Sequence, residues 1–276
     1  MSAPSFTTST ATRQVCAVAD ARRIAAMLDR DAAHIGMGSV LPLGWHFPLL
    51  AGETRRSFLR ADGFPGLGVE MPDLGLPRLL LAGRLVHYLG DIPVGSTVNR
   101  TSEVRKLDHK QSASGPMAIA TLIHELRPEG SAHPAIIETQ TYFLFPAGRR
   151  SPASETDTQV VRADIRKTVT PDETMLFQYS ALGFNSHKIH IDRDYAREVE
   201  GYPDLVVNGG LATLLLTEFL GSEVGIKPAG IKTRHTAPLY CGRPILLAAS
   251  RYESSWRLSA HDELGRVAVE LEILAE

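Results

Sequence analysis

Residues 184–192 read FNSHKIHID and set Asn185, His187, His190 and Asp192 within nine positions. Three readings fit those residue types. Imidazole and carboxylate suit zinc or iron, which makes His187, His190 and Asp192 a candidate metal set. Their i, i+3, i+5 spacing aligns them on one side of neither a strand nor a helix, and the sequence offers no further ligand cluster, so no metal is expected. A second reading leaves the imidazoles as hydrogen-bonding groups at the end of an element. The third is acid/base chemistry. An imidazole titrates near neutrality and can take a proton from water or return it, while an asparagine can orient that water but cannot serve as a base. His190 and Asn185 are the candidates for those roles, and Asp192 reads as a cap for the RDYA turn after it.

These groups need elements to hold them. The run DLVVNGGLATLLLTEFL, Asp204 to Leu220, is almost wholly apolar after its glycine pair. At about 1.5 Å per residue it makes a buried helix of roughly three turns. Free N–H groups around Gly209 and Gly210 at its start can stabilise an oxyanion, although the same glycines also serve a tight helix start. An imidazole beside such an oxyanion site has the two parts that enoyl-thioester hydration needs.

Upstream, residues 1 to 14 are rich in Ser and Thr and read as frayed, and Asp20 to Asp31 follows as a short amphipathic helix with Asp20 as its cap. Gly and Pro crowd residues 36–77, which predicts a long irregular excursion of the kind that covers or shapes a site. Strand character marks 84–92, 96–110, 117–128 and 135–145, an antiparallel meander. The polar stretch 146–173 divides the chain into 1–150 and 151–276. The second part opens with a short helix capped by Asp172 and closes, after the buried helix, with four strand-like runs. A curved sheet around one helix is an α+β arrangement, and the similar meander in the first part predicts a duplicated fold.

The composition narrows the function. With 276 residues, 43% hydrophobic, the chain can bury a substantial core. A net charge of −2 from 29 basic and 31 acidic residues gives no reason to expect nucleic acid or an anionic membrane as partner. The two cysteines, Cys16 and Cys241, lack any disulfide or zinc spacing, and no apolar stretch has the length of a membrane span, so a reducing, cytoplasmic setting is expected.

The segment FNSHKIHIDRDYAREVEGYPDLVVNGGLATLLL resembles the signature of the MaoC-like hydratase/dehydratase family, built on hot-dog folds. It is most similar to the double-hot-dog branch of mesaconyl-CoA and itaconyl-CoA hydratases and mitochondrial-type 3-hydroxyacyl-thioester dehydratases. Residues 76–126, LPRLLLAGRL through ATLIHEL, resemble that branch's N-terminal hot dog. The wider family motif is D-x-N-P-x-H, with Asp and His as the catalytic pair. Carried over, Asn185 takes the aspartate's place, His187 that of the asparagine, and His190 that of the catalytic histidine. A second acid/base besides His190 would then be His187, unless His190 handles both protons in a syn addition. VVNGG replaces the family's V-H-G and puts Asn208 where a histidine stands, at the substrate or oxyanion end.

The resemblance implies a coenzyme A thioester as substrate, no separate cofactor, and a homodimer. Arg149-Arg150, Arg166-Lys167 and Lys232-Arg234 are candidates for the CoA phosphates. A dicarboxylic acyl group such as itaconyl or mesaconyl would need a cation for its free carboxylate; Arg234 and Arg84 are the candidates, with an interdomain salt bridge as the alternative role. Trp45, His46 and Phe64 of the excursion would help wall the acyl pocket. Two rivals stand beside hydration of a small dicarboxylyl-CoA: a longer-chain 3-hydroxyacyl-thioester dehydratase, and an acyl-CoA-binding protein without catalysis. Hot-dog folds also carry thioesterases, but the motif holds no carboxylate placed for that hydrolysis.

Overall fold

Ten strands make one antiparallel sheet: β1 (Ser9–Val15), β2 (Arg78–Tyr88), β3 (Thr97–Ser112), β4 (Gly115–Pro128), β5 (Ile136–Phe145), β6 (Ile165–Val169), β7 (Gly230–His235), β8 (Ile245–Tyr252), β9 (Ser255–His261) and β10 (Val267–Leu274). The computed structural model describes residues 9–112, 115–148, 158–253 and 255–274. The strand order is β1-β3-β4-β5-β2-β7-β10-β9-β8-β6. Its second five strands repeat the first five in mirror, β6 matching β1 and β7 matching β2, and the copies join where β2 pairs with β7. This is the duplicated fold expected from the two meanders, and the double hot dog that the resemblance implies.

Among the described residues three α-helices accompany the sheet: α1 (Val18–Met27), α2 (Glu173–Leu182) and α3 (Gly209–Phe219). By position α2 repeats α1. The central helix α3 packs on β9 and β10 and buries Leu211, Leu214, Leu216 and Phe219 almost completely. Each such side chain contributes about 2 kcal/mol through the apolar area it removes from water. Among the described residues the first copy has no counterpart of α3. Between α1 and β2, where that helix would stand, runs the Gly/Pro-rich excursion, with two short 3₁₀ turns at Phe47–Leu50 and Arg56–Phe58.

Side chains of the first copy tie the excursion down. Arg100 of β3 donates from Nη1 to the carbonyls of Leu49 (3.1 Å) and Ala51 (2.8 Å), and Gln14 of β1 donates to Leu49 at 3.2 Å. Phe47 stacks on Tyr179 of α2 with centroids 4.4 Å apart. The absent helix therefore leaves a space walled by irregular chain, whose course can follow a ligand more closely than a helix can.

Several local expectations change. Residues 9–15, read as frayed, form edge strand β1, paired with β3 from Ser9↔Glu103 to Val15↔Thr97. Alternating exposure along the strand suits Thr10 and Thr12, whose branched side chains fit the half-covered pleated face, while Val15 lies on the exposed one. Asp20 lies in the first turn of α1 rather than at its cap, which is Ala17, without a side-chain bond. Asp172 does cap α2, accepting from the Met175 N–H at 2.8 Å. Part of the polar 146–173 stretch is strand β6, while residues 1–8, within the stretch expected to fray, and 149–157 lie outside the described residues. No described helix is long and apolar enough to cross a membrane.

Candidate active site

A cavity of about 390 Å³ takes its lining from both copies and the excursion. From the motif come Asn185, His187 and His190, from the start of α3 come Asn208, Gly209 and Gly210, and from the excursion come Phe64 to Leu67. β2, β4 and β5 add Leu79, Leu81, Arg84, His124, Gln140 and Tyr142. The motif, the helix start and Arg84 thus share one enclosure, although they are spread over more than a hundred residues of chain.

The motif leaves α2 through Phe184, whose left-handed φ of 48° turns the chain sharply. Asn185 Oδ1 then accepts the His187 N–H at 3.1 Å, which holds the turn and leaves the amide NH₂ as the side chain's donor. Lys188–His190 is a single 3₁₀ turn. His190 is buried, and its Nδ1–H donates to the Val206 carbonyl at 2.7 Å, so Nε2 carries the lone pair. Burial, then the neighbouring His187, push the His190 pKa down to about 3 against the pull of the Val206 hydrogen bond. His187 sits edge-on to His190 with ring centroids 5.5 Å apart. Burial likewise pushes it down to about 4, opposed by Asp62 and aided by Arg60. Both imidazoles are therefore neutral at physiological pH and able to accept a proton. Asp192 does what was expected of it, accepting the Tyr195 N–H at 2.9 Å.

The glycines that open α3 are there for close approach. A Cβ on Gly209 would meet Leu81 Cδ2 at 3.1 Å and His235 Cε1 at 3.4 Å, and one on Gly210 would overlap the Tyr179 hydroxyl. The first-turn N–H groups of a helix have no partner within it, and here that turn lines the cavity. Asn208, at the N-cap, donates from Nδ2 to Ser180 Oγ at 3.3 Å, while its buried Oδ1 has no protein partner. Gly210→Ala is expected to cost about 1–3 kcal/mol by overpacking, and Tyr179→Phe in the same chain to recover much of it by removing the hydroxyl. Thermal unfolding of the single and double variants checks this; equal losses in both would show that the overlap is not the cause.

Two expectations about arginine divide. Arg234 is not brought to the cavity: β7 alternates, so Arg234 is exposed and pairs with Glu270 at 2.7 Å, while Thr233 is buried. The cavity receives the next residue, His235, which sequence reasoning missed. Thr213 of α3 donates to the Gly209 carbonyl at 3.2 Å and shares a 3.3 Å hydrogen bond with His235 Nε2. Burial, then Arg84, push the His235 pKa down to about 3. Arg84 does line the cavity, but it is not free. Its Nε and Nη2 donate to Glu138 at 2.8 Å each, and His46 Nε2 meets the same carboxylate at 2.7 Å. Burial alone would raise the Glu138 pKa; Arg84, then His46 and Gln140, outweigh it and hold the carboxyl well below its usual range. Arg84 and Glu138 both belong to the first copy, so this is no interdomain bridge.

Of the excursion residues, Phe64 lines the cavity, whereas His46 stands behind it on Glu138 and Trp45 donates to Glu218 at 2.7 Å. The phosphate candidates lie away from the lining: Lys167 pairs with Glu223 and Lys232 approaches Glu272, while Arg149 and Arg150 are outside the described residues. Among the described residues Arg84 is the only arginine or lysine in the cavity wall. Asp62, also unforeseen, comes from the excursion to within 3.6 Å of His187 Nε2.

The fold and this enclosure define a MaoC-like double-hot-dog protein. A MaoC-like dehydratase from Phytophthora capsici superposes with a TM-score of 0.68 at 16% identity, over 97% of this chain and 95% of that one. A Mycobacterium tuberculosis protein described as a double hot dog gives 0.62 at 13% identity, over 97% and 94%. Residues 44–241 match the family of hydroxyacyl-thioester dehydratase type 2. The mesaconyl-C(4)-CoA hydratase of Chloroflexus aurantiacus is 33% identical over 84% of this chain and 82% of its own length. The mitochondrial hydroxyacyl-thioester dehydratase type 2 of Saccharomyces cerevisiae is 28% identical over 64% and 65%. The chain belongs to the hydroxyacyl-thioester dehydratase type 2 family, and it is a hydro-lyase.

Proposed function

We propose that the protein reversibly hydrates an enoyl-CoA thioester whose acyl group is small, branched and dicarboxylic, of the mesaconyl or itaconyl type. The observation that carries this is the set of polar side chains in the cavity wall, Arg84, His124, Gln140 and Tyr142 from the first copy and Tyr179 from α2. A long apolar chain there would strip water from these groups without replacing its hydrogen bonds, at a cost of several kcal/mol. A second acyl carboxylate would instead find donors. Arg84 Nη1, left over from the Glu138 pairing, and the Tyr179 hydroxyl both lie against Gly210. A charge so close to the helix start also suits the short span between the two carboxyl carbons of a C4 or C5 diacid.

In this reading His190 Nε2 takes a proton from a water oriented by Asn185 while the water oxygen bonds to the β-carbon. The C=C electron pair moves to the thioester oxygen, where the N–H groups around Gly209 and Gly210 stabilise the enolate. The imidazolium then returns the proton to the α-carbon, directly or with His187. Asn208 borders the same helix start and shapes the oxyanion end. Only the coenzyme A of the substrate enters this scheme, with no further cofactor.

The family match favours one alternative, dehydration of a longer 3-hydroxyacyl thioester. Loss of the enoyl-thioester absorbance with mesaconyl-, itaconyl-, crotonyl- and octenoyl-CoA separates the two. A kcat/KM at least tenfold higher for a dicarboxylyl substrate is expected, and preference for octenoyl-CoA would refute the diacid reading.

A further inference from the structure

The motif has an asparagine where the family pattern has its carboxylate, and the structure brings a carboxylate beside the motif's His187 from another part of the chain, outside the cavity wall. Asp62 is buried within the excursion segment 60–64. Its Oδ1 accepts the Phe64 N–H at 2.9 Å, and its Oδ2 accepts from Arg60 Nη2 at 2.7 Å and lies 3.6 Å from His187 Nε2.

The approach is built in by the backbone. The Lys188 N–H donates to the Asp62 carbonyl at 2.8 Å, Lys188 Nζ to the Ala61 carbonyl at 2.8 Å, and Ser186 Oγ to the Gly63 carbonyl at 2.6 Å. Gly63, at φ 76°, is pressed so close that a Cβ would overlap the Ser186 carbonyl oxygen. Three hydrogen bonds and one obligatory glycine thus lock the excursion onto residues 186–188. Phe64 closes the contact with its ring edge-on to His187, centroids 5.6 Å apart. The outcome is a line of groups running from the cavity outward: His190, His187, Asp62, Arg60. Other ionisable groups border it, since Lys188 lies over the Tyr195 ring and Tyr195 reaches toward Glu200.

The geometry points to Asp62 as a positioning residue for the hydration reaction: through its field, 3.6 Å from Nε2, it biases His187 toward the tautomer with hydrogen on Nε2 and supports the imidazolium that forms on the His187–His190 pair during turnover. This rests on the hydratase reading above. When His190 takes the proton of water, a positive charge is created in a buried site whose nearest neighbour is another imidazole. An anion on the far side of that neighbour lowers the cost of the intermediate wherever the proton resides, and its field across 3.6 Å, longer than a hydrogen bond, favours hydrogen on the facing Nε2 and leaves Nδ1 as the acceptor of His187. Asp62 does not itself line the cavity. Arg60 offsets part of the carboxylate's field, but its side chain is 33% exposed against 11% for Asp62, so water screens it more.

The test compares Asp62→Asn, Asp62→Ala and Arg60→Gln. Arg60→Gln breaks the same Arg60–Asp62 ion pair while leaving the carboxylate beside His187. Both Asp62 variants are expected to lose about 10- to 100-fold in kcat with KM within about threefold, whereas Arg60→Gln is expected not to lower kcat. Equal losses in Asp62→Asn and Arg60→Gln would overturn the assignment, because the ion pair would then act only as a clamp. The ¹⁵N imidazole resonances at pH 7.5 give a readout without turnover. His187 is expected as the Nε2–H tautomer in the wild type and as a mixture in Asp62→Ala; an Nδ1–H tautomer in the wild type would overturn the assignment. A wild type that hydrates no thioester would defeat the hydratase reading, and the tautomer would still decide whether Asp62 sets His187.

Discussion

Replacing His190 with alanine is expected to lower kcat for hydration by about 10²- to 10⁴-fold with little change in KM, the range of a lost general base. The geometry gives that residue one job. Nδ1–H is bound to the Val206 carbonyl, so Nε2 is the basic nitrogen that His190 offers to the cavity. Burial and His187 hold its pKa down to about 3. A base is disabled by protonation, so lowering its pKa moves the acid limb of the rate profile to lower pH. From pH 8 to 6 the wild-type kcat/KM should stay flat, where an ordinary imidazole base would lose about fourfold. So weak a base functions because the enolate charge forms as the proton moves, raising proton affinity at the moment of transfer. Steady-state rates over that pH range, with circular dichroism to show that His190→Ala is folded, test both statements. Activity of His190→Ala within tenfold of wild type would remove His190 from the chemistry. Asn185→Ala should fall less, since Asn185 orients water without exchanging protons.

How much of this was legible in the sequence depends on the distance over which each feature is encoded. β4, β5 and β10 announce themselves by alternation, and α3 by an apolar run that no surface helix would carry. Asn185, His187 and His190 lie within one turn of chain, so their proximity needs no topology. β1 escaped because the half-covered face of this edge strand carries only Thr10, Thr12 and Gln14, which no apolar alternation marks. The error over Arg234 was avoidable. Ile231 and Thr233 face inward on β7, and the same period of two places His235 with them and Arg234 outside. The Asp62–His187 and His46–Glu138 contacts were beyond reach. They exist because the excursion replaces a helix and folds back on both copies, and no local pattern encodes where an irregular segment lands. In that segment Asp62-Gly63 reads only as a turn, and its register on Ser186 is a property of the folded chain.

Stability should fall steeply in mild acid, by about 8 kcal/mol between pH 7.5 and pH 5, because the site is lined with neutral imidazoles. Burial, acting first in each case, pushes His190 and His235 down to about 3 and His187 and His124 down to about 4. All four line the cavity. In the unfolded chain each returns to about 6.5, so as pH falls the unfolded state takes up protons that the folded state refuses. Stability is therefore complete above pH 6.5 and is lost below it, at about 2 kcal/mol per histidine by pH 5. Four such groups amount to much of the 5–15 kcal/mol that holds a typical domain folded. Glu138 works in the same direction but lower down: its depressed pKa contributes stability above the usual carboxylate range, lost only as pH falls through that range and beyond. Urea unfolding at half-unit steps from pH 7.5 to 5 measures the effect, and the slope between pH 6 and 5 should approach four protons taken up on unfolding. His235→Gln should reduce that uptake by one, whatever it does to activity. An uptake near zero would mean that these imidazoles are charged or wet in the folded protein, and the neutral-base mechanism for His190 would fall with it.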